Sequence, residues 1–256
     1  MNEVFSFRRF GKLFVKHTAE HYRSYLMSIA VVAGVFVLGG SFIGYMVLGL
    51  LTPAAQAVLF FSLLALAGTI FTSTIFSDLG EKKKSIPTLL LPASSLEKFL
   101  VAWMYSYVVF IVIFTIMYYF ALAAVLYSQA VRGFDHEMMD FFSHQMFLEF
   151  VFFSFLHSIA MFGAIFFGRL HFIKTAFSFF ITIGLLTLFS TLWGKLLTGK
   201  NVVPRIPFGS MAFREDDQFY VVSVTDDKMI WIMWVGMAMT ILFWVAAYFR
   251  FKEKRV

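Results

Sequence analysis

"SYLMSIAVVAGVFVLGGSFIGYMVLGLLTPAAQAVLFFSLLALAGTIFTSTIFS", Ser24–Ser77, is a run of 54 residues between Arg23 and Asp78 that holds no charge. A helix crossing roughly 30 Å of hydrocarbon needs about 20 such residues. The run is therefore too long for one crossing, and "LLTPAA" at Leu50–Ala55 supplies the proline turn that divides it into two. Working outward, four more charge-poor windows follow: Phe99–Val131, Phe150–Gly168, Thr175–Gly194 and Met229–Phe249.

These windows predict an all-α polytopic membrane protein with six transmembrane helices, at about 26–49, 54–77, 97–128, 147–168, 175–196 and 229–250. The expected organisation is a cytoplasmic amphipathic interface helix over 1–25, a transmembrane domain over 26–251 and a tail over 252–256. The apolar runs are continuous, whereas barrel strands would alternate over about ten residues. Composition agrees: 60% of the 256 residues are hydrophobic and only 14% charged, which excludes an ordinary soluble domain.

Lys and Arg set the orientation. With a cytoplasmic N-terminus, the inner side carries Arg8, Arg9, Lys12, Lys16, Arg23, Lys82, Lys83, Lys84, Lys98, Arg169, Lys174, Arg250, Lys252, Lys254 and Arg255; the outer side keeps Arg132, Lys195, Lys200, Arg205, Arg214 and Lys228. Both termini are then expected in the cytoplasm. The first span is too long for a signal-peptide core and is expected to be retained. The net charge of +6 reflects these inner anchors rather than a nucleic-acid surface, and no nucleic-acid module is present.

Ahead of the first span, Phe7, Phe10, Phe14, His21 and Tyr25 fall at helical spacing with Arg8, Lys12, Lys16 and Arg23 on another side, a basic amphipathic pattern. Near an anionic leaflet each cation contributes about 1 kcal/mol, enough for Arg8, Arg9, Lys12, Lys16 and Arg23 to hold this helix flat. A bare positive-inside anchor is the plainer reading.

Between the second and third spans, "SDLGEKKKSIPTLLLPASSLEKF" (Ser77–Phe99) has a basic half and an apolar half. Ser94 and Glu97 fit a capping box that starts the third helix near Ser95. Lys82, Lys83 and Lys84 suit the headgroups. Burying Leu89, Leu90 and Leu91 contributes about 1.5–3 kcal/mol apiece, against lipid or against a protein groove.

Small residues recur at Gly40–Gly44 and at Ala160, Ala164 and Gly168, the pattern of close helix approach within the chain or at a dimer seam. Ser62, Thr69, Thr72 and Ser73 either line a path or back-bond to their own helix. His157, beside Ser154 and Ser158, is the ionisable residue in mid-span and reads as a neutral packing residue more readily than a relay.

No phosphate loop, H-E-x-x-H or G-x-S-x-G is present. "FSFLH" (Phe153–His157) echoes a fragment of one intramembrane protease family, without the paired glutamates and second histidine that chemistry needs. His136, Asp140 and His144 would share a helix face chemically suited to a metal, but an interfacial helix with Met138, Met139, Phe141 and Phe142 inward is the favoured reading of the pattern. The expectation is no catalytic, cofactor or metal residue in this chain. The loop Lys195–Lys228 reads as turns and short strand, or as a cap leaning on the membrane.

"FSFRRFGKLFVKHTAEHYRSYL", "IFTSTIFSDLGEKKKSIPTLLLPASSLEKFLVAW" and the six-helix layout together resemble permease subunits of ATP-binding-cassette transporters of the type-2 exporter class, especially small six-span permeases of Bacteroidetes. The resemblance implies a bacterial inner-membrane location, a cytoplasmic ATPase subunit carrying ATP and Mg, and a paired permease or homodimer. It also implies that Phe5–Tyr25 lies on the inner leaflet and that Asp78–Leu96 couples to the ATPase, with Lys82, Lys83, Lys84, Ile86, Leu89, Leu90 and Leu91 as the docking residues. The exported substrate would be hydrophobic or amphipathic. The two re-entrant helices such exporters often carry in the last outer loop are not evident here. A membrane scaffold recruiting a different cytoplasmic protein is the alternative, and an intramembrane hydrolase a third.

Overall fold

The computed structural model describes residues 5–46, 52–80, 93–131, 137–168, 170–199, 202–204, 210–215, 218–222 and 226–253. Its helices are α1 (Phe7–Met46), α2 (Pro53–Gly80), α3 (Ser95–Trp103), α4 (Phe110–Ala130), α5 (His144–Phe166), α6 (His171–Thr198) and α7 (Asp226–Glu253). Between α3 and α4 a π-helical turn, Met104–Val109, keeps the third span continuous. Among the described residues, five helices are long and apolar enough to cross a membrane, and α1 supplies a sixth if its two bent segments count as one. The chain is an all-α polytopic protein.

Local chemistry sets the helix starts. In "LLTPAA" the turn becomes the beginning of α2: Pro53 occupies the first helical position, where its missing N–H costs nothing, and Ala55 N–H donates to Thr52 Oγ1 at 3.3 Å. The "SSLE" box forms as expected, with Glu97 N–H donating to Ser94 Oγ and Ser94 N–H to Glu97 Oε2, so α3 starts at Ser95. The third span runs 34 residues, Ser95–Ser128. At 1.5 Å per residue that is about 50 Å, so its ends stand in the headgroups.

α1 bends by 55° between Phe7–Arg23 and Tyr25–Gly40. The bend falls where the amphipathic pattern gives way to the uncharged run.

Two buried clusters occupy opposite ends of the bundle. Phe36, Phe60, Leu64, Phe114, Tyr118 and Phe153 join α1, α2, α4 and α5 at one end. Phe76, Phe99, Met161, Ala164, Ile165 and Phe251 join the last turns of α2, α5 and α7 to the first turns of α3 at the other. Gln56, wholly buried in the first cluster, holds the segment before α5 by donating to Glu137 O (2.8 Å) and accepting from Met139 N–H (2.9 Å).

Small residues admit close packing, though not all where the spacing suggests. Ala160 and Ala164 are buried, but Gly168 lies beyond the end of α5 with nothing near its Cα face. Gly163 is the tight position: a Cβ there would collide with Thr175 Oγ1 of α6 and sit 2.7 Å from Thr175 Cβ. Gly163→Ala is therefore expected to lower the detergent-solubilised melting temperature, at a cost of about 1–3 kcal/mol from overpacking. Gly168→Ala should leave it unchanged.

Beyond α6 the chain leaves through Gly199 in the left-handed region (φ 69°). It then forms an antiparallel meander, β1 (Val202–Pro204), β2 (Met211–Glu215) and β3 (Gln218–Val222), in the order β1-β2-β3. Phe213 pairs with Tyr220 across β2 and β3, their rings stacked at 5.5 Å, and buried Val202 sits against Gly194 of α6. Of the two readings of this loop, turn and short strand or a membrane-leaning cap, the strand reading is the one with counterparts here, three short strands among the described residues.

Candidate functional site

The capping box of α3 also holds the N-terminal helix. Glu97 is wholly buried; its Oε2 serves the cap, while its Oε1 accepts from Ser6 N–H (2.7 Å) and from Arg9 Nε (3.2 Å) and Nη2 (3.0 Å). Ser6 precedes the first residue of α1, so one carboxylate caps two helices. Charge-assisted bonds of this kind are about twice as strong as neutral ones. Arg9 is 36% exposed at its side chain, so water screens part of the pair.

Two turns further along, the helix widens. Phe110 N–H reaches back to Tyr105 O, five residues earlier, which is the π-helical bond. Widening the turn sends three consecutive polar side chains to different neighbours. Tyr105 meets α1, donating to Phe14 O (3.4 Å) and sharing a short hydrogen bond with Thr18. Ser106 Oγ lies 3.0 Å from His157 Nε2, and Tyr107 Oη lies 2.5 Å from Ser154 Oγ, both on α5.

His157 is also wholly buried, and its tautomer follows from its partners. An indole N–H only donates, so Trp244 Nε1 at 3.2 Å makes His157 Nδ1 the acceptor. Nε2 then carries the proton and donates to Ser106 Oγ, which passes its own hydrogen to Trp103 O at 3.2 Å. The relay ends on a main-chain carbonyl. Both ring nitrogens are used structurally, as expected of a packing residue, but with Ser106 and Trp244 rather than the flanking Ser154 and Ser158.

The inward stripe of α1 comprises Phe14, His17, His21 and Tyr25 rather than Phe7, which is 83% exposed. Phe14 stacks on Tyr105 at 4.6 Å, His17 on His21 at 4.5 Å, and Tyr25 on Tyr105 at 5.5 Å. His17 Nε2 lies 2.6 Å from Tyr25 Oη. Burial first, and the neighbouring His21 second, push His17 down to about 4 from an ordinary 6.5. Because the folded value lies below that of an undocked histidine, its contribution to docking is complete above pH 6.5 and is lost as the pH falls towards 4. A spin label on Val15→Cys is therefore expected to gain mobility between pH 7 and pH 4.5, and His17→Gln should flatten that dependence.

Among the expected cations, Arg8, Lys12, Lys16 and Arg23 remain exposed, as an interface helix requires, and Lys16 pairs with Glu20 at 3.5 Å. Arg9 departs from them by turning inward to Glu97. Lys82, Lys83, Lys84, Ile86, Leu89, Leu90 and Leu91 lie outside the described residues. So does His136, and the helix face proposed for it with Asp140 and His144 does not form. Asp140 accepts from Phe142 N–H (2.9 Å) in a turn, Ser143 caps α5, and His144 is the first helical residue. Among the described residues no group of three His, Asp or Glu side chains could hold a metal ion. The hydroxyls of Thr69 and Thr72 back-bond to Ala65 O and Gly68 O.

Tyr105, Ser106, Tyr107 and Trp244 were not singled out from sequence. The signal was "YSY" in the midst of "FLVAWMYSYVVF": three hydroxyls inside an apolar span each require a partner. Compared with protein-family models, with curated proteins and with solved structures, the chain matches none.

Proposed function

We propose that the chain is the permease subunit of an ATP-driven exporter, working with a separate ATP-binding subunit to move a hydrophobic or amphipathic substrate across a bacterial inner membrane. Both termini face the cytoplasm in this reading, as the distribution of Lys and Arg favours. ATP and Mg reside on the partner.

The observation that carries the proposal is the lock of Ser6 and Arg9 on Glu97. Segment 81–92, with its basic and apolar halves, adjoins that lock directly in the chain. A partner gripping Lys82–Leu91 would move the start of the third span and the N-terminal helix as one body. The π-helical turn lies one step along the same helix, with polar links to α1 and α5. That continuity suits a subunit driven from its inner face. The commitment of both His157 nitrogens favours this reading over a hydrolase. Pairing with a second permease would employ α6, whose most apolar window has no buried residue.

Co-purification tests the reading. The chain should bring down a roughly stoichiometric Walker-type ATPase, and Leu89→Ser, Leu90→Ser and Leu91→Ser together should release it while the permease still inserts. An ATPase retained by that variant refutes the docking assignment. A different stoichiometric partner would establish the scaffold reading instead.

A further inference from the structure

α1, α2 and the third span enclose a cleft of about 790 Å³, a size at which folded proteins hold specific ligands. Inside a bilayer a polar group needs a protein partner, and the hydroxyls that line this cleft have theirs. Tyr25 Oη lies 2.6 Å from His17 Nε2, Tyr105 Oη donates to Phe14 O at 3.4 Å, and Thr74 Oγ1 donates to Ile70 O at 2.9 Å. What faces an occupant is hydrocarbon: Phe71 and Phe110, stacked at 5.1 Å, line the cleft together with Val109 and Ile113.

The floor is formed by Val101, Tyr105 and Phe114, each no more than 4% exposed, whereas Met27 and Val31 of α1 and Ile70 of α2 are half exposed or more. The cleft is therefore continuous with the surface that the membrane covers. Water suits it poorly, because apolar cavities stay dry and take apolar guests. Polar side chains gather at one end, at Lys16, Glu20 and His21, while Val32, Ile113 and Met117 close the other. That gradient is the one a lipid standing in a single leaflet presents. From Tyr105 to Met117 the third span rises about 18 Å at 1.5 Å per residue. One leaflet contributes about 15 Å of a 30 Å hydrocarbon core.

We propose that this cleft is a binding site for one acyl chain of a membrane lipid, which enters past Met27, Val31 and Ile70 and lies along the floor of the third span. Continuity with the lipid-facing surface, and a lining whose hydroxyls are already paired, select this occupant over water or a polar ligand. The site recognises the hydrocarbon and not the charge of the headgroup. The inference stands whether or not the chain works with an ATPase.

The experiment uses the full chain in phosphatidylcholine vesicles doped with phosphatidylcholine bearing a diazirine on its acyl chain, and in parallel with phosphatidylglycerol bearing the same group. After irradiation, adducts are mapped residue by residue, with α6, whose exposed surface reports bulk lipid, as the reference. Tyr105 and Phe114 on the floor are expected to carry severalfold more adducts than Phe60 and Phe153, which are just as buried but lie outside the cleft. The two headgroups should label the floor alike. Ile113→Trp, which fills the cleft, should remove the floor adducts of both probes and spare those on α6. Should that variant misfold, Ile70→Trp, at the half-exposed mouth, should lower them severalfold. Floor adducts no higher than those on Phe60 and Phe153, a severalfold difference between the headgroups, or labelling undiminished by the tryptophan variants would overturn the assignment.

Discussion

Arg9→Ala detaches the N-terminal helix from the third span. It leaves Glu97, wholly buried, with only the main-chain N–H groups of Ser6 and Ser94 among the partners described above. Removing one member of a buried pair costs about 3–5 kcal/mol. Arg9 is a third exposed, so a screened figure of about 2–3 kcal/mol is expected here. Glu97→Gln separates the two roles of the carboxylate, since glutamine at the third helical position still completes a capping box but carries no charge for Arg9. It should therefore free α1 while α3 keeps its start. Glu97→Ala loses both, adding about 1 kcal/mol for the cap. The measurement is tryptic cleavage after Lys12 and Lys16 in the folded protein. An opening free energy lowered by about 2 kcal/mol raises cleavage about thirtyfold when opening is fast. The chain has no cysteine, so a single label on Val15→Cys follows the same release directly. Unchanged cleavage in Arg9→Ala would show that the aromatic stripe, not the ion pair, holds the helix.

This division between what can be read locally and what cannot runs through the molecule. Charge-free windows, the proline break before α2, and the serine–glutamate box before α3 are decided by neighbours within four residues, and all were legible; the threonine that caps α2 was not read. The long-range partners of buried polar residues were not. Glu97 meets Arg9 across 88 positions, and His157 meets Ser106 across 51 and Trp244 across 87. Helical periodicity says which face a residue occupies but not which helix will lie against it. It also misleads where side chains compete with the helix: His136, Asp140 and His144 have helical spacing, yet Asp140 bonds Phe142 N–H and Ser143 starts a new helix. Ser143 was the local sign of that start.

The His157 network yields the second large effect, and its mutant cycle distinguishes packing from chemistry. His157→Ala removes an imidazole surrounded by Tyr107, Phe153 and Trp244. It opens a cavity costing about 2–3 kcal/mol and strands the Trp244 N–H for about 1–3 more, whereas Ser106 keeps its bond to Trp103 O. His157→Phe restores the volume and leaves only the stranded donor, so the loss should shrink to about 1–3 kcal/mol. Trp244→Phe strands the acceptor Nδ1 instead and should cost a similar amount. When both partners become apolar no buried polar group at that contact is left unmet, and His157→Phe/Trp244→Phe should recover most of the stability that either single change loses. Thermal melts of the four proteins in one detergent measure the cycle. A relay or catalytic histidine predicts the reverse pattern: near-native melting in every variant, with function lost in each that lacks the imidazole. Recovery in the double variant thus assigns His157 to holding α5 against the π-helical turn and α7, the junction through which motion at the third span would reach the rest of the bundle.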